Sequence, residues 1–136
     1  MSFSDTLENE VLDHVFGVGA YTAPTTVWIG LSTADPGDTG ATNAEPSGNN
    51  YSRVGLDNSG TSWTTAAAGV TYNGVAITFP EASGSWGTIT HVAIWTHVTS
   101  DGAAVLFATG ALGTSKAVGA GDTPRFQINS LNLTLT

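Results

Sequence analysis

The sequence contains no cysteine, which excludes disulfides, thiolate catalysis and metal sites built on cysteine. It has no apolar run near the roughly 18 to 20 residues that a membrane-spanning helix needs. Its first ten residues, MSFSDTLENE, are acidic, whereas a signal peptide begins with a basic and then an apolar segment. We therefore expect a soluble chain, made inside the cell without a signal peptide and held together by packing alone.

Charged residues are scarce and strongly unbalanced. Asp, Glu, Lys and Arg make up 10% of the chain, against about 25% in ordinary soluble domains. Eleven acidic residues face three basic ones, for a formal net charge of −8. Such a chain repels phosphate backbones and anionic lipid headgroups. Neither nucleic acid nor a membrane is therefore expected as a partner, and the phosphate-binding glycine motifs of nucleotide cofactors are absent.

The length and composition predict one domain that covers residues 1–136. The chain has 136 residues, of which 40% are apolar, enough for one packed core and too many for a disordered tail. Glycine is abundant, with 17 residues, and threonine recurs throughout. This composition is typical of a protein built mainly from β-strands.

The first segment carries the one convincing helix, predicted over residues 5–16. Asp5 is the expected N-cap, with Glu8 three positions later, and glycines at 17 and 19 mark the end of the helix. A helix of about three turns is unstable alone, so its apolar stripe must pack on the sheet or on a neighbouring subunit. The stripe consists of Leu7, Val11, Leu12, Val15 and Phe16.

The rest of the chain alternates with a period of two, which is typical of strands. The first strand begins at Thr26, and a long loop rich in Gly, Pro and Asn, expected to be exposed, covers residues 32–50. Further strands are predicted at 51–56, 63–67, 74–79, 88–98, 104–112, 123–128 and 130–135. Short strands at this spacing predict a mainly β fold, an antiparallel β-sandwich or jelly roll with one short N-terminal α-helix.

No catalytic motif is recognisable in the sequence. The nucleophile motif G-x-S-x-G is absent, and the spacing of Asp57, Glu81 and Asp101 brings no two carboxylates together. His91 and His97 lie on one strand about 20 Å apart at 3.3 Å per residue, too far to share a metal ion. We predict no catalytic residue, no metal ligand and no cofactor.

The acids of the long loop need no metal ion to explain them. Asp35, Asp38 and Glu45 lack the spacing of an EF-hand, and turn formation around Pro36 explains Asp35 and Asp38 equally well.

Two of the three basic residues, Arg53 and Arg125, lie in predicted strands. We expect each of them to pair with a carboxylate and to set geometry more than stability.

The four tryptophans are many for a chain of this size and are expected mainly in cores or interfaces. Trp28 and Trp95 lie opposite the aliphatic face of their strands, where a second surface covered by another subunit would explain the low charge. Trp63 and Trp86 stand beside glycine-rich turns, so they are the candidate platforms for stacking on a sugar.

Several segments resemble a family of small phage virion proteins commonly labelled tail fibre proteins. They include the helix followed by AYTAP, the strand VWIGLST, the segment YSRV, the pair ITFP and SWGTITHVAI, and the closing GDTPRF. Together they span nearly the whole chain. The resemblance implies a structural protein of the virion, as a tail or fibre component or a capsid decoration (head-fibre) subunit, and not an enzyme.

The resemblance also implies a symmetric homo-oligomer, for which a trimer is the common choice, bound to other virion proteins. We expect the subunit and virion contacts to involve the helix stripe and one tryptophan, and the loop 32–50 to face outward. These interface residues are Leu7, Val11, Val15, Phe16 and Trp28. The alternatives are a carbohydrate-binding module that recognises a host surface through Trp63 or Trp86, and a hydrolase of cell wall or polysaccharide.

Overall fold

The computed structural model describes residues 1–100 and 103–135. In chain order, the helix and strands of these residues are β1 (Ser2–Phe3), α1 (Asp5–Val15), β2 (Thr26–Ser32), β3 (Val54–Asp57), β4 (Val70–Tyr72), β5 (Ile77–Thr78), β6 (Gly87–Trp95), β7 (Leu106–Val118), β8 (Arg125–Phe126) and β9 (Asn132–Thr134). Every strand pair is antiparallel. The predicted mainly β class with one short N-terminal helix is confirmed.

The strands form two layers around a common core. One layer is a five-stranded sheet with the order β1-β7-β6-β2-β3, and the other consists of the two-stranded ribbons β4-β9 and β5-β8. Ile29 of β2 and Ile94 of β6 face each other in register, and they belong to the same buried cluster as Ile77, Phe79 and Leu131. The architecture is therefore closer to a sandwich with one divided layer than to a jelly roll.

Several predicted strands differ from the observed ones. At residues 63–67 only isolated bridges form, from Trp63 to Asn73 and from Ala67 to Val70. Strands β1 and β4 are too short to leave a recognisable pattern. Strand β7 continues to Val118 through the polar, glycine-containing stretch 113–117. Its last residues, 116–118, remain in the strand because they pair with residues 87–89 of β6.

The N-cap of the helix lies one residue earlier than the charge pattern suggests. Ser4 is the N-cap: its backbone is extended and its Oγ accepts a hydrogen bond from the Leu7 amide. The prediction of Asp5 as the N-cap is therefore wrong, although the helix span agrees to within one residue. Phe16 is the C-cap. In the described part of the chain, no helix is long and apolar enough to cross a membrane.

Both faces of the second half of β6 are buried, and the face that carries Trp95 is covered by the chain itself. Ala93 and Trp95 are only 1% and 6% exposed, because the loop after β2 folds back over them. Pro36 of this loop is buried, and a Cβ at Gly40 would lie 2.9 Å from the Trp95 ring.

The Oγ of Ser32 ties the two ends of the same loop by accepting hydrogen bonds from the Ala34 and Ala44 amides. Of the loop 32–50, predicted to be exposed, Ser32 and Pro36 are buried, and the other residues are exposed or half-buried. Burial also fades along the last predicted strand, where Leu131 is buried and Leu135 is 55% exposed.

Candidate interaction surfaces

A buried cluster of polar side chains fastens the loop after β2 to the sheet. Arg53 and Glu45 form a two-pronged ion pair, with Nε to Oε1 at 2.8 Å and Nη2 to Oε2 at 2.7 Å. The remaining guanidinium nitrogen, Nη1, donates to the carbonyls of His97 and Thr99. The guanidinium carbon lies 4.4 Å from the centroid of the Trp95 ring.

Tyr51 completes the cluster on the side of Glu45. Its hydroxyl donates to Glu45 Oε1 at 2.6 Å and accepts from the Leu31 amide at 2.9 Å. Burial, and then the charge of Glu45, raise the pKa of Tyr51 above its ordinary value. Because Arg53 and Tyr51 both bind the Glu45 carboxylate, the cluster acts as a clasp within the chain.

The pairing predicted for the two arginines is therefore confirmed for Arg53 and wrong for Arg125. The Arg53 side chain is 1% exposed and that of Glu45 12%, so this pair is buried and not the exposed kind that contributes little. Within residues 1–100 and 103–135, no carboxylate lies in ion-pair distance of Arg125.

Glu45→Gln should destabilise the fold by about 3 kcal/mol, because removing one partner leaves the buried Arg53 charge uncompensated. The measurement is the free energy of unfolding in urea. Asp35→Asn is the matched control, an acid in the same loop whose side chain is 70% exposed, and should cost well under about 1 kcal/mol. Equal effects of the two substitutions would contradict the role assigned to the clasp.

Tyr51 should stay protonated in the folded chain above pH 10, where an ordinary tyrosine ionises. Since its pKa is raised on folding, its contribution to stability is complete below about pH 10 and declines as the pH rises beyond that. An absorbance titration of the phenolate band should show fewer than the three tyrosines ionising before unfolding. Ionisation of all three while circular dichroism still reports the native fold would refute this prediction.

The residues predicted for the interface do not form one surface. Leu7 is 8% exposed and Val11 is half-buried, and both line a groove between α1 and the sheet. Val15 and Phe16 point outward, 67% and 76% exposed. Trp28 lies on the opposite side of the sheet, packed against the cluster that contains Trp95.

The outward part of the helix continues into a larger apolar surface than the predicted one. Leu12 is 54% exposed and Val18, just after the helix, is 77% exposed. We call Leu12, Val15, Phe16 and Val18 the helix-end patch. The spacing of Leu12, Val15 and Phe16 places them on one face of α1, so the 3.6-residue period identified the patch but could not say which half of the stripe the chain itself buries.

The two tryptophans predicted as sugar platforms differ in their surroundings. Trp86 is 4% exposed, packs edge-on against Tyr51 and donates from Nε1 to the Asn49 carbonyl. Its ring is covered within the chain, which argues against a role as a sugar platform. Trp63 is half-buried and lines the groove between α1 and the sheet, of about 470 Å³, with Asn58 and Thr64 among its neighbours.

A second groove lies between the five-stranded sheet and the strands β8 and β9. Leu31, Ile89 and Val92 form its apolar floor, and Phe126 lines one side. The exposed side chains of Lys116 and Arg125 also line it, so we call it the cationic groove. Its volume is about 760 Å³. Nothing in the sequence pattern indicated it, because Lys116 and Arg125 meet there only through the long extension of β7.

The remaining candidate residues have local structural partners. Asp35 Oδ1 accepts from the Gly37 amide, as the predicted turn requires, and its other oxygen lies 3.9 Å from His91 Nε2. The Asp38 carbonyl accepts from the Asp5 amide.

Among the described residues no group of three or more His, Asp or Glu could hold a metal ion. His97 is half-buried beyond the end of β6, and Asp57 and Glu81 are exposed. Asp101 lies outside the described residues.

The comparison with known protein families covers nearly the whole chain. A family model described as podophage GP4 fiber I protein gp80 matches residues 2–134. The chain belongs to this family. The predicted resemblance to a phage fibre family is thereby confirmed, and with it the general character of a virion structural protein. A search of the curated proteins found no match.

Proposed function

We propose that this chain is a subunit of a phage fibre that works through contacts with its own copies and with other virion proteins, and that it carries out no reaction. The observation that carries the proposal is the helix-end patch. The patch exposes large apolar side chains on a regular element, while the rest of the apolar material lies mostly in the core.

The form of the patch supports a binding role. Single exposed apolar residues are ordinary on protein surfaces, whereas contiguous ones mark contact sites. Leu12, Val15 and Phe16 are contiguous because they share a helix face, and Val18 is held beside them by the hydrogen bond from its amide to the Asp13 carbonyl. Covering such a patch contributes roughly 25 cal/mol for each Å² of apolar surface removed from water.

The family supports a place in a fibre over a place as a capsid decoration, since its description names a fiber protein. A symmetric homo-oligomer is part of the proposal, with a trimer as the expected copy number. The low content of charged residues, 10% of the chain, supports repeated contacts between copies, because charges are depleted in the cores of interfaces.

Antibodies against the purified chain should label the fibres of intact phage particles in electron micrographs. The protein should also be present in particles purified by density gradient, because a structural subunit remains with the virion. Pre-immune serum is the control for the labelling. Absence of the chain from purified particles would overturn the proposal, and labelling of the head surface alone would replace the fibre by a capsid decoration.

Trp63 supports a second candidate function, recognition of a host glycan, because its ring lines an open groove beside hydroxyl and amide side chains. On this hypothesis a glycan array should show specific binding that is lost in Trp63→Ala. Trp28→Ala is the matched control, because Trp28 is also half-buried but lies on the other side of the sheet. If no glycan on the array binds the chain, the glycan-recognition hypothesis is rejected and only the role in protein contacts remains.

A further inference from the structure

The charges of this chain are separated into distinct regions of its surface. Arg53, one of the three basic residues of the chain, is paired with Glu45 in the clasp. The other two are Lys116 and Arg125. Both are exposed and both line the cationic groove. Asp122 also lines this groove, but its carboxylate accepts a hydrogen bond from the Gly119 amide at 2.8 Å.

Helix α1 has the opposite character. It carries Asp5, Glu8, Glu10 and Asp13, all exposed, and its only basic candidate is His14. Glu8 precedes Leu12 by four residues and Asp13 precedes Phe16 by three, so these two acids flank the helix-end patch on the helix surface. The helix therefore presents an apolar face with an acidic border.

The cationic groove matches this face in both respects. Its floor of Leu31, Ile89 and Val92 is apolar, and its basic residues are Lys116 and Arg125. No residue of α1 lines the groove of its own chain, so an α1 helix docked there would have to come from another molecule.

The net charge of −8 restricts how two copies can meet. Most orientations bring acidic surfaces together, and like charges repel. An orientation that places the acidic border of one helix against Lys116 and Arg125 of the next copy replaces this repulsion by attraction. Charge complementarity of this kind selects the partner surface and the register of a contact.

We propose, as a deepening of the proposed function, that the helix-end patch of each copy docks into the cationic groove of the next copy. The occupant of the groove is a second copy of this chain. The contact is head-to-tail, because two different surfaces meet, and such contacts generate closed rings or open fibres according to the rotation between neighbours.

The test compares two charge-reversed forms of the full chain by sedimentation velocity at micromolar concentrations. The groove form carries Lys116→Glu and Arg125→Glu, and the helix form carries Glu8→Lys and Asp13→Lys. Wild-type chain should self-associate, and each reversed form should bind itself at least about tenfold more weakly. Circular dichroism shows whether each form is folded.

The decisive measurement is an equimolar mixture of the two reversed forms. Assembly should return in the mixture, because the native helix of the groove form meets the native groove of the helix form, and the reversed helix meets the reversed groove. A form with Glu10→Lys and Asp57→Lys is the matched control. It has the same total charge as the helix form, but Glu10 is two residues from Glu8 and from Leu12 and so does not share their side of the helix, and Asp57 lies on β3. This control should therefore assemble like the wild type.

Three results would overturn the inference: a monomeric wild type, association that neither reversal weakens, or folded reversed forms that fail to assemble when mixed. The last result would indicate that like surfaces meet, such as helix against helix. A monomeric wild type would also count against the homo-oligomer in the proposed function, whereas the other two results would leave it standing. The labelling of fibres on phage particles tests the place in the virion separately from all three.

Discussion

The fold depends on the clasp in which Glu45 holds Arg53 over the ring of Trp95. Without it, the loop after β2 would have few apolar side chains to hold it down, and the second face of β6 would be open to water. With it, Trp95 and Ala93 are buried and the carbonyls after β6 are satisfied by the same guanidinium. One ion pair thus decides which face of the sheet the chain covers by itself and which surfaces remain for other molecules.

Because the loop after β2 covers Trp95, the low content of charged residues needs a different explanation from the one that the sequence suggested. The sequence suggested that another subunit covers Trp28 and Trp95, whereas the chain's own loop covers Trp95 and Trp28 stays half-buried. The surfaces left uncovered lie elsewhere, at the outer side of α1 and in the opening between the two layers. Phe16 and Val18 are more exposed than any other large apolar side chain in the described residues, and the exposed basic side chains border the opening. The surfaces that the chain leaves uncovered therefore differ from those that the sequence suggested.

Features with a strong local signal could be predicted from the sequence. The 3.6-residue period of Leu7, Val11 and Val15 gave the helix, and the alternation of Val27, Ile29 and Leu31 gave a central strand. What depends on distant partners could not be predicted. Strand β1 is visible only through its pairing with β7, the fate of the long loop depends on one buried ion pair, and Trp86 differs from Trp63 because Tyr51 and Asn49 lie against it.

The anchoring of the first residues also orders the events of synthesis. Ser2 and Phe3 pair with Thr109 and Ala108, and the Ser4 amide donates to the Phe107 carbonyl. Residues 1–16 leave the ribosome early. The part of β7 with which β1 pairs is available only after about residue 109 has emerged. Until then Leu7 and Val11 are exposed together with the rest of the apolar stripe. A nascent chain can therefore contact neighbouring nascent chains on the same polysome through this apolar surface.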